Sequence, residues 1–117
     1  MAWADTQKPE DIDLARKAVD AACEHPEQFS MRSWKCGTVM CIGGWMCWLA
    51  SGKDKDLSNQ DVSSWISSND LLKGGWYNLF SAARWPCRFL PTDPKNFPDP
   101  TPEQVKARFA YWLETGL

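Results

Sequence analysis

The chain holds one histidine, two tyrosines and no apolar run long enough to cross a bilayer. With His25 as the single imidazole, sites built on several histidines are excluded, and only one side chain is an ordinary neutral-pH base. The longest apolar stretch, residues 39 to 50, contains two glycines. It falls well short of the ~20 residues that a membrane helix needs. The opening Met1-Ala2-Trp3-Ala4-Asp5 has neither the basic start nor the apolar centre of a secretory signal. We therefore expect a cytoplasmic protein whose cysteines stay reduced. The G-x-x-x-x-G-K-[ST] phosphate loop is missing, which leaves Gly37-Thr38 as a weak anion-cradling turn. No internal repeat, low-complexity tract or convincing strand is legible. A formal charge of −2 removes any general attraction to nucleic acid or anionic membranes.

Tryptophan and sulfur are what the chain has in excess. Eight of its 117 residues are tryptophan. A domain of this size hides about four or five such rings, and the remainder are expected at the surface, where aromatics favour binding. Residues 34 to 50 hold three of the five cysteines, three tryptophans and three glycines. Such a segment is the hub of a small core or the seat of chemistry.

Apolar spacing predicts an all-α, single-domain bundle of four to six short helices over residues 1 to 117. Pro9 opens a first helix that runs to Glu24, with Glu10 and Asp11 at the positive end of its dipole. Ile12, Ala15, Val19 and Ala22 face inward, and His25-Pro26 ends it. A second helix is expected from Thr38 as its cap to a stop at Gly52, with Val39, Ile42, Met46 and Leu49 on one face. Gly43-Gly44 inside it would cost about 1 kcal/mol each, which suggests that another backbone passes close by. Lys53-Asp54-Lys55-Asp56 reads as a solvated loop. Ser58 caps a third helix with Val62, Trp65 and Ile66 inward. Between Asp70 and Arg84, Gly74-Gly75 breaks the helical pattern. Residues 86 to 102 carry six of the eight prolines and form a wrapping, non-helical segment pinned by Phe89, Leu90 and Phe97. Thr101-Pro102-Glu103-Gln104 then starts a last helix with a capping box, and Gly116 ends it.

The order of landmarks resembles a family of small bacterial and phage proteins. These are His-Pro-Glu-Gln-Phe-x-Met at 25 to 31, Cys-Gly-Thr-x-x-Cys-Ile-x-Gly from Cys36, Leu79-Phe80, Trp85-Pro86, and Thr-Pro-Glu-Gln-x-x-x-Arg at 101 to 108. The resemblance implies a phage or mobile-element accessory protein made inside a bacterial cell, and carries no activity with it.

Several constellations carry possible chemistry. Cys23, His25, Cys36 and Cys41 are the soft ligands for a zinc site, set against their reading as small buried hydrophobes. Cys36 and Cys41 are also spaced for a disulfide across a helix start, which a reducing compartment disfavours. Cys36 with His25 is the one nucleophile–base pair available. Trp76, Tyr77, Arg84, Trp85, Arg88 and Phe89 interleave aromatics with arginines, a composition that suits a protein hot spot or the stacking of a nucleobase. Together these lead us to expect a cofactor-free, non-enzymatic protein that binds and modulates a host protein, a bacterial immune component among the candidates. The alternatives are capture of a nucleotide or small ligand in an aromatic pocket, and a cysteine- or zinc-dependent enzyme.

Overall fold

Helix α1 spans Pro9–Glu24, the bounds its proline and its His-Pro exit predict. The computed structural model describes residues 2–31, 35–36, 39–51, 57–72, 74–93, 95 and 99–117. Trp34, Gly37, Thr38, Gly52, the 53 to 56 charge run and Phe97 lie outside the described residues. The stripe Ile12, Ala15, Ala18, Val19 and Ala22 is buried. Its three alanines let the next helix approach closely, and α1 makes its most extensive packing against that helix.

The second helix begins later than its spacing suggests. Lys35–Cys36 (β1) and Val39–Met40 (β2) form a short antiparallel ladder with Lys35 opposite Met40 and Cys36 opposite Val39. Helix α2 starts only at Ile42, with Cys41 as its cap, and ends at Ala50. The expectation of a Thr38 start and of a chain without strand is corrected by this ladder. Met40 is also bridged to Phe29, and its carbonyl accepts from the Ser30 N–H at 3.2 Å. A residue whose backbone is engaged on both sides in this way is not available to a helix. Gly43 and Gly44 fall in the first turn of α2 and are buried there.

Helix α3 covers Asn59–Ser68 and opens at the predicted Ser58 cap, which forms a capping box, Ser58 and Asp61 each accepting from the other's N–H. It closes in a Schellman motif: the Asp70 N–H reaches the Ser67 carbonyl at 3.1 Å and the Leu71 N–H reaches Ile66 at 3.0 Å. The left-handed position in that motif belongs to Asp70, with φ 61°, where glycine is the usual occupant. Gly74, with φ 58°, breaks the chain before α4, Gly75–Phe80. Two 3-10 turns follow, Ala82–Arg84 and Cys87–Phe89, the second inside the proline-rich segment that sequence reading left without helix. Phe89 and Leu90 pin that segment as expected. Asp99 adds a tie the sequence did not reveal, accepting from the Ser30 hydroxyl at 2.6 Å and the Met31 N–H at 3.3 Å. Helix α5, Pro102–Thr115, carries the Thr101–Gln104 capping box and ends at Gly116 with φ 69°.

The fold is therefore all-α apart from the two-residue strands, with one hydrophobic core drawn from every helix. Trp45, Trp76, Trp85 and Trp112 are buried, while Trp3, Trp48 and Trp65 pack at its edge. Each buried indole N–H has an acceptor, which removes the main penalty of burying tryptophan. These are the Gln28 carbonyl for Trp45, the Gln7 side chain for Trp76, the Leu79 carbonyl for Trp85 and the Gly75 carbonyl for Trp112. No helix among the described residues is long and apolar enough to cross a membrane.

Candidate functional site

The aromatic and arginine residues between α4 and the second 3-10 turn divide into two layers. Trp76, Trp85 and Phe89 are buried and belong to the core. Tyr77 is 39% exposed, and Arg84 and Arg88 are exposed. The two layers are stacked on each other. The Arg84 guanidinium lies 5.1 Å from the centre of the Tyr77 ring, and Arg88 lies 4.7 Å from Phe89 and 4.9 Å from Tyr111. Phe89 and Tyr111 are themselves 5.6 Å apart. Contacts of this kind hold a long arginine side chain in place at a gain of about 0.5–1 kcal/mol each when exposed.

Sequence reading missed two members of this face, Tyr111 and Arg108, because both sit on α5, about 20 residues from the rest. Arg108 is fully buried, the one charged side chain among the described residues that is. Its Nη2 donates to the Asn78 carbonyl at 2.8 Å and to the main-chain oxygen of Leu117 at 2.8 Å. Its Nε and Nη1 are buried with no acceptor among the described residues. The guanidinium lies 5.5 Å from the Trp85 ring centre and 5.8 Å from Tyr111. Burial pushes its pKa down to about 10, which leaves it charged at neutral pH. The signal was present in the sequence: Val105, Arg108, Phe109 and Trp112 share one helical stripe. Among the described residues Arg84 and Arg88 have no carboxylate partner.

The four soft-ligand candidates are not assembled by the described residues. Cys23, partly buried at the end of α1, points its sulfur at the Pro102 carbonyl, 3.6 Å away. His25 is exposed, stacked 6.2 Å from Trp45, with Nδ1 3.7 Å from the Glu27 carboxylate. Cys41 is buried, and the Cys36 side chain lies outside the described part of the structure. No group of three or more metal-ligating side chains occurs among the described residues. Cys41 is a free thiol, and the alternative of a Cys36–Cys41 bridge falls on a side chain outside the described residues.

Burial pushes the Cys41 thiol up to about 11, against the opposing influence of the Gly44 and Gly43 N–H groups. Its folded pKa lies above its unfolded value, so the folded chain holds a proton that the unfolded chain releases. Stability from this group is complete below about pH 9 and is lost as the pH rises toward 11, by roughly 2–3 kcal/mol. Urea unfolding at about pH 8 and about pH 10.5 measures this loss, and Cys41→Ala should abolish that part of it. An identical pH dependence in the variant would rule the assignment out. In the same protein the exposed Cys87 should alkylate readily and the buried Cys41 should resist.

A second feature lies on another side of the molecule. The short 3-10 turn Trp3–Thr6, the start of α1 and the α3–α4 connection enclose a hollow of about 400 Å³. Trp3, Leu71 and Trp76 supply its apolar wall, and Gln7, Lys8, Asp11, Asn69 and Asp70 its polar one. Burial raises the Asp11 pKa, with Lys8 opposing and Glu10 reinforcing the shift. Of the sequence-derived site residues only Trp76 reaches this hollow.

No family model matches the chain, and no curated protein or solved structure matches it either.

Proposed function

We propose that this chain is a non-enzymatic binding protein that occupies a partner protein through the Tyr77, Arg84, Arg88 and Tyr111 face. One observation carries the reading: guanidinium groups without carboxylates among the described residues, held over rings and backed by a buried third arginine. Arginine and tyrosine are the side chains that dominate interface energetics, since they bring large rigid area and directed donors at small entropic cost. A partner with an acidic patch supplies the missing countercharges. The resemblance to small bacterial and phage proteins makes a host protein the partner class, a bacterial immune component among the candidates, and the bacterial cytoplasm the setting. Stacking of a nucleobase on the same face has less support, because Trp76, Trp85 and Phe89 are already covered by core packing.

The test uses the Arg84→Glu/Arg88→Glu double variant, which changes only exposed side chains. Affinity capture from bacterial lysate should retain one stoichiometric protein on the wild type. Repurified, that protein should bind the double variant at least about tenfold more weakly, and binding to the wild type should weaken with salt. Absence of a stoichiometric partner, or equal affinity for both forms, would end this reading.

A further inference from the structure

The Trp3 ring sits in a slot shaped to it. A Cβ on Gly75 would fall 2.5 Å from Cζ2 of that ring, and one on Gly116 2.7 Å from its Cδ2, Cε2 and Nε1. Gly75 thus lies against the six-membered ring and Gly116 against the ring fusion and the pyrrole nitrogen. Trp112 meets the ring edge-on at 4.9 Å, and Trp76 does so at 6.5 Å. Gly116 has φ 69°, so its backbone favours glycine whatever lies beside it. Gly75 opens helix α4 without a positive φ, so what glycine supplies there is room for a ring. The segment that carries Trp3 is tied mostly to itself. Among the described residues the hydrogen bonds of Ala2 to Thr6 close locally, joining Ala2 to Asp5, Trp3 to Thr6, Ala4 to Gln7 and Thr6 to Gln7. The tie to the body of the fold is the Gln7 side-chain oxygen, which accepts from Trp76 Nε1 at 3.1 Å. Gln7 and Lys8 are extended and link the segment to α1. A unit bonded in this way opens at lower free energy than the core it covers. We propose that the slot is a binding site for a free indole-class ring, and that residues 2 to 7 are the strap that closes it, with Trp3 as the tethered occupant. Opening breaks one hydrogen bond to the fold and leaves Trp112, Gly75 and Gly116 to receive a flat bicyclic ring. The hollow adjoins the slot at Trp3 and Gly75 and gives the ring an approach.

Free indole is the probe and benzene the single-ring comparison. Trp3→Ala should bind indole at least about tenfold more tightly than the wild type does, because the wild type must first give up its own ring. The variant should also prefer indole to benzene by at least about tenfold, since one ring fills half of the slot. Its melting temperature should rise with indole concentration. If the emptied slot leaves Trp3→Ala unfolded, added indole should restore a cooperative transition. NMR cross-relaxation should place the bound indole against Gly75, Gly116 and Trp112. Trp3→Ala/Gly75→Ala, which sets a methyl group in the slot, should lose about tenfold in indole affinity. In the wild type, about 10 mM indole should move the Trp3 indole N–H signal and leave that of Trp45, on another part of the core, in place. Equal affinity in Trp3→Ala and the wild type, equal binding of benzene, or contacts outside the slot overturns the proposal. So does a wild-type Trp3 signal that stays in place, which would mean an engineered cavity without a working strap. Neither readout depends on Arg84 or Arg88, so this inference and the partner-binding reading fail independently.

Discussion

Arg108→Ala is expected to destabilise the protein by about 2–4 kcal/mol, and Arg108→Met by less than about 1 kcal/mol. Alanine opens a cavity where the guanidinium packs against Trp85 and Tyr111, and strips the Asn78 and Leu117 oxygens of their donor. Methionine refills most of that volume. It also removes a desolvated charge whose Nε and Nη1 find no acceptor, and this offsets the lost hydrogen bonds. Urea unfolding of the two variants beside the wild type separates packing from donation. Equal losses would mean that the two donated bonds, one of them to a carbonyl near the end of α4, hold the C-terminal half together.

The second large effect falls on a glycine. A Cβ on Gly75 would sit 2.5 Å from Cζ2 of Trp3 and 2.8 Å from the Gly116 carbonyl oxygen. Trp3 in turn packs 4.9 Å from Trp112, whose indole donates to the Gly75 carbonyl at 2.6 Å. Gly75→Ala must therefore push the Trp3 ring out of its slot, at a cost of about 2–3 kcal/mol. In a Trp3→Ala background the same substitution should cost markedly less, because the ring that opposes it is gone. Equal cost in both backgrounds would place the conflict at the Gly116 backbone instead.

Both results bear on why the rings and arginines are where they are. The large indole content serves mainly to fill a small core, and each buried indole is anchored through its N–H. What is left at the surface, Tyr77 and the two exposed arginines, is held by that core. The face proposed to meet a partner is thus preorganised, which would reduce the ordering cost of binding.

Local chemistry alone determined where α1, α3 and α5 start. Proline at N1, the serine and threonine caps and their acidic or amide partners act within one turn, so they are visible in sequence. The buried stripe of α1 was equally legible, because 3.6-residue periodicity is a property of the chain itself. Only the tertiary structure decided the rest. Met40 leaves the helix because Phe29, eleven residues back, shares its backbone bonds. Arg108 is buried because Asn78 of α4 and Leu117 offer it main-chain oxygens, and Trp3 finds its slot because two distant glycines leave room for a ring. Each of these depends on groups brought together from far along the chain. The apolar pattern of one segment does not encode what another segment will present to it.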